Sequence, residues 1–248
     1  MATENDVYVG RLLRELRRAG RATALRYRDQ SLSGETLLAL ISQYARALRY
    51  LDVRRGTLLG MFAPNRPEAF AIRYAAHVLG AATVYLSVPP TEGGRQALVD
   101  EIAPDLLVVF PETTRYLGQS VGVPVVDKVG SRGRLDILAA SASTDWIDVS
   151  ADSNDLAVIS SSGGSTGVPK GSCRNFAAYT AMVSAESPRH RIQLINGPLA
   201  YLSQVLVDIT LLRGGRVVLR EAYEAADTLA TIEAEKNYGS LSRRTPAF

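Results

Sequence analysis

Short runs of consecutive apolar residues punctuate the chain: TLLGMFA (57–63), ATVYLSV (82–88), DLLVVF (105–110), VPVVD (123–127) and DLAVIS (155–160). A strand that is apolar on both sides must be buried on both faces. Parallel strands also need crossover connections of helical length, and helix-spaced segments stand between several of these runs. The alternation therefore predicts an α/β fold, with mostly parallel sheets and helices on both faces.

The intervening segments carry helix signals of their own. Ser33 reads as a cap for a helix whose apolar positions Leu37, Ile41, Tyr44, Ala45 and Leu48 recur at helical spacing. Asn65 reads as the cap of a second helix, with Pro67 in its first turn, Phe70, Tyr74 and Val78 along it, and a stop at Gly80. Pro89, Pro90, Gly93 and Gly94 break the chain before a third helix around Gln96 to Ile102. From Lys128 to Asn154 the composition shifts to Ser, Gly, Arg, Asp and Ala, which reads as a connecting segment or subdomain break anchored by Trp146. The N-terminal stretch places Val9, Leu12, Leu13 and Leu16 on one side of a helix and most of its arginines elsewhere. That basic face reads as solvated rather than membrane-bound.

Several function classes are excluded early. A chain of 248 residues with 46% hydrophobic content can bury a substantial core. Its net charge of +3, from 28 basic and 25 acidic residues without a long basic block, does not argue for nucleic acid. Cys173 is the single cysteine, so no internal disulfide forms, and with His77 and His190 it gives no metal-ligand spacing. Both histidines read as surface or packing residues, and Asp208 as a residue on a helix surface. No apolar run reaches the roughly 18 residues of a membrane span, and the N-terminus lacks the apolar core of a signal peptide. A cytoplasmic protein without a transmembrane segment is expected.

The most informative stretch is AVISSSGGSTGVPKGS (157–172). An apolar strand runs into a loop of glycines and hydroxyl residues, and a helix is predicted from Asn175. In α/β sheets ligands bind beyond the carboxyl ends of strands. Glycines let backbone amides approach and converge on an anion, and hydroxyls add donors. The implied ligand is a phosphate. Lys170 supplies a point charge in a chain whose only other lysines are Lys128 and Lys236. A flexible Gly/Ser linker is the competing reading. Against it stand the preceding strand, the stiff Pro169 and the lysine. A Walker A loop is not present, because Pro169 precedes Lys170 and Gly171 follows it.

SGGSTGVPKG resembles the phosphate loop of the adenylate-forming superfamily: acyl-CoA synthetases, acyl-AMP ligases, luciferases and nonribosomal adenylation domains. The family usually carries Thr-Ser-Gly at the start of this motif; here Ser162, Gly163 and Gly164 stand there. The stretch from Ala24 to Pro90 resembles the family's opening, and GPLAYLSQVLVDITLLRGGRVVL resembles its later Pro-Leu-x-His segment and Gly-Gly-x-Val-Val-Leu strand. The resemblance implies an AMP-forming acid–thiol ligase using ATP, Mg²⁺ and coenzyme A on a fatty or aryl carboxylic acid. It implies that Ser162, Gly163, Gly164, Ser165, Thr166, Gly167 and Lys170 bind the nucleotide, with Thr166 and Lys170 acting in catalysis. Tyr201 falls where the family has His or another aromatic lining the acyl or thiol path, although an aromatic between Leu199 and Leu202 also suits a core. No Asp stands near it to hold an amino group, which disfavours an amino acid substrate.

The family's later motifs, its Mg²⁺-binding Glu, its ribose-binding Asp and its mobile C-terminal domain are not found between Met1 and Phe248. Nor does NYGSLSRRTPAF supply the apolar strand expected after Lys236. The chain is therefore read as the first part of an AMP-binding N-terminal domain over 1–248, with the C-terminal domain absent. Alone it is expected to be inactive. A non-catalytic nucleotide-binding fragment or subunit that needs a partner chain is the alternative. An open sheet edge predicts marginal solubility or a homodimer that covers it.

Overall fold

The computed structural model describes residues 7–86, 91–116, 125–127, 133–162, 170–184 and 186–242. The elements, in chain order, are α1 (Tyr8–Ala19), β1 (Thr23–Tyr27), β2 (Gln30–Ser33), α2 (Gly34–Tyr50), β3 (Leu58–Phe62), α3 (Pro67–Val78), β4 (Ala82–Tyr85), α4 (Glu92–Ile102), β5 (Leu106–Val109), β6 (Val125–Asp127) and α5 (Arg134–Ala140). After them come β7 (Leu156–Ser162), β8 (Lys170–Asn175), α6 (Phe176–Val183), β9 (Ile192–Ile195), α7 (Gln204–Leu212), β10 (Arg216–Leu219) and α8 (Ala225–Ser242).

Two sheets form. The six-stranded sheet has the order β6-β5-β3-β4-β7-β8 and the four-stranded sheet β2-β1-β10-β9. Every neighbouring pair is parallel except β7–β8 and β1–β2. The predicted apolar runs form β3 to β7 of the six-stranded sheet, four of them as inner strands and β6 at its edge, and two-residue alternation along the inner ones sends side chains to opposite cores. Leu106, Val108 and Phe110 join one hydrophobic cluster; Leu107 and Val109 join the other. Leu98 and Val99 of α4 close the second cluster from outside.

The first cluster is shared. It collects Leu25 and Tyr27 of β1, Val217 and Leu219 of β10, and buried residues of α1, α2, α3, α6 and α7. These helices form a middle layer between the sheets. On the outer face of the four-stranded sheet, Glu235 of α8 pairs with Arg26 and Arg216. The expected arrangement, parallel sheets covered on both faces, is what the chain adopts.

Local signals explain several helix limits. The Ser33 hydroxyl accepts from the Thr36 amide, and the Asn175 side chain from the Ala178 amide. Gly80 stops the segment after α3 with φ +75°, and a side chain there would meet the backbone of Ser150 and Ala151 at 3.3 Å. The amphipathic reading of the N-terminal helix holds: Tyr8, Val9, Leu12, Leu13 and Leu16 are buried. The segment read as a connection contains α5. Leu135, Ala139, Ile147 and Ala151 from it belong to the shared core, while Trp146 is 40% exposed beneath the Arg17 guanidinium.

Two expectations are corrected. Arg66, not Asn65, stands at the N-cap of α3, because the Asn65 amide is engaged elsewhere. Asp208 is not on a surface: it is fully buried in the middle layer. Its carboxylate is paired with Arg73 and accepts from the Tyr74 and Tyr179 hydroxyls, each at 2.6 Å. A buried carboxylate needs such partners, since an unpaired ion in the interior costs several kcal/mol, about 3–5 when one partner of a pair is removed. Arg73 is packed by the rings of Tyr8, Tyr74 and Tyr179, with its carbon 5.0 Å from the centre of Tyr74. The Tyr8 hydroxyl accepts from Arg73 and also hydrogen-bonds His77 Nδ1, while His77 Nε2 lies 2.8 Å from Thr83 Oγ1. Burial, and then the Arg73 charge, hold the His77 pKa well below 6.5, so the ring is neutral. His77 is a packing residue, as expected, and His190 lies exposed in a turn with φ 58°.

Among the described residues no helix is long and apolar enough to cross a membrane.

Candidate functional site

The parallel strands β3, β4, β5 and β7 place their carboxyl ends on one edge of the six-stranded sheet. β7 ends there at Ser162. The chain returns as β8, antiparallel to β7, with Ser162 opposite Lys170. The residue pattern predicts a loop running straight into a helix at Asn175; in the structure a strand intervenes, and the helix follows it. KGSCRN has no apolar pattern to announce a strand, and β8 forms as the partner of β7 at the sheet's margin.

This hairpin sets the backbone positions of Ser162 and Lys170, which flank the glycine-rich segment. Gly163, Gly164, Ser165, Thr166 and Gly167 fall outside the described residues, as do Val168 and Pro169. For Ser162 and Lys170 only the backbone is described. Both ends of the segment are held by neighbouring ladder positions at the carboxyl edge of the sheet, the location at which α/β folds bind ligands.

A second element meets the same edge. After β9 the chain turns through Gly197 and Pro198 into a single π-helical turn, Leu199–Ser203, that leads directly into α7. Such turns recur at functional sites in other proteins. This one packs against β4 and β7, with Leu199 and Ala200 buried and Leu202 64% exposed. Tyr201 lies within it, its side chain outside the described set. The structure thus brings the backbones of Ser162, Lys170 and Tyr201 to adjoining elements.

Asn65 lies just beyond β3. It is 3% exposed, and its side-chain nitrogen donates to Gly197 O and to Arg220 O, each at 2.9 Å. Those carbonyls follow the ends of β9 and β10, so one amide joins the carboxyl edges of both sheets. The Ser203 hydroxyl also donates to Gly197 O, at 3.2 Å, closing the turn at its base. An asparagine after a strand and before Arg-Pro looks like a helix cap, and its actual partners lie far along the sequence.

The charged groups described near this edge are already paired. Arg66 is held by Glu68 and Glu112. Glu221 accepts from the Tyr27 hydroxyl at 2.7 Å and from Arg28, and these bonds hold its pKa below 4.5. Burial, and then its hydrogen bond to Glu221, push Tyr27 up to about 12. A cavity of about 450 Å³ between the β1–β2 hairpin and the start of α3 is lined by Arg28 and Arg66 in these paired states. Among the described residues, no group of three His, Cys, Asp or Glu side chains is placed to hold a metal ion.

The model of the family described as AMP-binding enzyme matches residues 12–238. Among curated proteins, a feruloyl-CoA synthase of an Amycolatopsis species is 28% identical over 90% of this chain and 46% of its own length. A medium/long-chain-fatty-acid–CoA ligase of Mycobacterium tuberculosis is 24% identical over 84% of this chain and 40% of its own length. The chain thus spans about half the length of the curated relatives it matches. Among solved structures, the inhibitor-bound N-terminal domain of FACL13 from Mycobacterium tuberculosis superposes with a TM-score of 0.83 at 18% identity, covering 92% of this chain and 61% of that one. The anthranilate CoA ligase AuaEII, in complex with anthranoyl-AMP, gives 0.84 at 19% identity, covering 94% and 48%. At these identities the structural likeness establishes the fold.

Proposed function

The chain belongs to the AMP-binding enzyme family, and from that premise we propose that it is the nucleotide-binding part of an AMP-forming acid–CoA ligase acting on a fatty or aryl carboxylic acid. One observation carries the reading. The β7–β8 hairpin holds both ends of SGGSTGVPK at the carboxyl edge of the six-stranded sheet, beside the turn that contains Tyr201.

Attack of a carboxylate oxygen on the α-phosphorus of ATP forms the acyl–phosphate bond and expels pyrophosphate. Negative charge grows on the leaving group, so donors and a cation aimed there stabilise the transition state more than the ground state. The hydroxyls of Ser162, Ser165 and Thr166 donate to phosphate oxygens, Gly163, Gly164 and Gly167 permit close approach of the backbone, and Lys170 neutralises the departing pyrophosphate. Because Lys170 opens β8 opposite Ser162, its backbone is fixed by the ladder. A carboxylate nucleophile needs no general base. Coenzyme A then accepts the acyl group from the adenylate, and Tyr201 lines the acyl side. Mg²⁺ accompanies the ATP and neutralises its phosphates; no ligand for it is assigned to the described residues. The relatives' names, a feruloyl-CoA synthase and a fatty-acid–CoA ligase, support an aryl or fatty acid. Cytoplasmic placement suits the exposed free thiol of Cys173.

Calorimetry with ATP on the wild type and on Lys170→Ala tests the loop. The variant is expected to bind more weakly by about 1–3 kcal/mol, the worth of a hydrogen bond to a charged group. Equal affinities overturn the assignment. A second reading is a nucleotide-binding subunit that acts only with a partner chain. ATP–pyrophosphate exchange with ferulate and octanoate, with and without the C-terminal half of a related ligase, separates the two: turnover by the chain alone rejects the second.

A further inference from the structure

We propose that Asn65 is a positioning residue that registers the acyl-side turn, Gly197 to Ser203, against the sheet that carries the phosphate loop, and so sets the angle at which the carboxylic acid meets the nucleotide. The inference rests on the reading given under Proposed function, since it takes the 197–203 turn as the acyl wall.

The geometry is unusual in its economy. An asparagine nitrogen carries two protons fixed in one plane, so a single side chain bridges two carbonyls only when they sit at a set spacing. Here Gly197 O and Arg220 O, each 2.9 Å away, use that nitrogen's donor capacity, and the residue is 3% exposed. Gly197 and Arg220 follow parallel neighbours, β9 and β10, while Asn65 follows β3 in the other sheet. Adding the Ser203 bond, Gly197 O receives one donor from across the sheets and one from the far end of its own turn. The turn is thereby pinned at its base while its body rests on β4 and β7. Moving the Asn65 amide moves the acyl side relative to β7.

A general structural tie and a positioning tie make different predictions. Loss of a general tie loosens everything joined to it, so acid and nucleotide affinities fall together. Loss of a positioning tie acts on the acyl side and spares the nucleotide side. Asn65→Leu keeps the shape and removes both donors; Asn65→Gln keeps the donors but displaces them by one methylene; Ser203→Ala removes only the second bond to Gly197 O and is the mild variant should the others fold poorly.

On the full 248-residue chain, hydrogen exchange by mass spectrometry is read over 199–206 and over β7. ATP, ferulate and octanoate binding is followed by calorimetry. In Asn65→Leu, exchange over 199–206 is expected to rise about tenfold with β7 unchanged, and the affinity for whichever acid binds to fall about tenfold with ATP within about twofold. Asn65→Gln is expected to lower acid affinity in the same direction, and Ser203→Ala to give about a threefold effect. Unchanged exchange over 199–206 overturns the proposal, and so does a joint fall in acid and ATP affinity. If the wild type binds neither acid nor ATP, the functional reading fails, and the exchange experiment alone decides whether Asn65 sets the turn.

Discussion

The two sheets differ in what they do with their second face. At the centre of the six-stranded sheet both faces are dry: Leu107 and Val109 look into one core while Leu106 and Val108 look into the other. In the four-stranded sheet Leu25, Tyr27, Val217 and Leu219 face the shared core. The opposite face carries Arg26, Arg216 and half-buried Leu194, roofed in part by α8 through Glu235. One sheet is held by burial from both sides, the other by burial on one side and ion pairs on the other. Side-chain truncations should therefore cost more in the first than in the second, and pairing changes should be felt in the second.

The layer common to both sheets offers the strongest test. Asp208→Ala leaves Arg73 buried without its counter-ion and is expected to destabilise by about 3–5 kcal/mol, whereas Arg73→Met combined with Asp208→Leu should recover only part of that loss, because the buried Tyr74 and Tyr179 hydroxyls still lack their acceptor. Urea denaturation reads both, and a cost below about 1 kcal/mol for the single variant would show that the ion pair does not hold the layer. The contrast between sheets comes next. Leu107→Ala is expected to cost about 2–5 kcal/mol and Leu194→Ala about 1 or less; equal values erase the distinction.

Acid titration sharpens the same point through His77. The folded ring stays neutral below the ordinary pKa of 6.5, while the unfolded chain takes up a proton there. Its contribution is complete above pH 6.5 and declines as pH falls, by up to about 1.4 kcal/mol per pH unit. His77→Gln should flatten the denaturation profile between pH 6.5 and 5. On the outer face of the four-stranded sheet, Glu235→Gln is expected to cost about 1 kcal/mol, and less at high salt. The smallest effect belongs to Glu221. Its depressed pKa means that its pairing is intact above 4.5 and lost as pH falls further, so Glu221→Gln should alter stability above that pH and leave it unchanged well below.

How much of this was legible in the sequence follows from the same contrast. Strands dry on both faces, β3, β4 and β5, show as unbroken apolar runs. The caps at Ser33 and Asn175 act on neighbours three residues away and can be read locally. β1, β2 and β9 are short and half-solvated, and β8 is a strand only because β7 lies beside it. Asp208 reads as a surface residue because amphipathic logic turns charges outward, and nothing nearby in sequence announces Arg73. The chemical character of the phosphate loop is visible in its residue types, whereas the tie that brings the acyl side to it, Asn65, depends on carbonyls 132 and 155 positions away.

The pairing of β1 with β10 also sets an order of events during synthesis. β3 pairs with β4 and β5, which follow it closely, so that part of the first sheet can assemble as soon as those strands have left the ribosome. β1 has only its hairpin partner β2 until Arg216–Leu219 has been made, because Leu25 lies opposite Val217. An isolated hairpin is marginal in water, and long-range pairing must meet its loop-closure cost before contacts reward it. During that interval Leu25 and Tyr27 have no finished core to enter, and Leu12, Leu13 and Leu16 lack the α7 and β10 side of theirs. The nascent chain is thus most vulnerable to chaperone capture or misassociation late in translation, and β10 serves as the latch that ends the exposure.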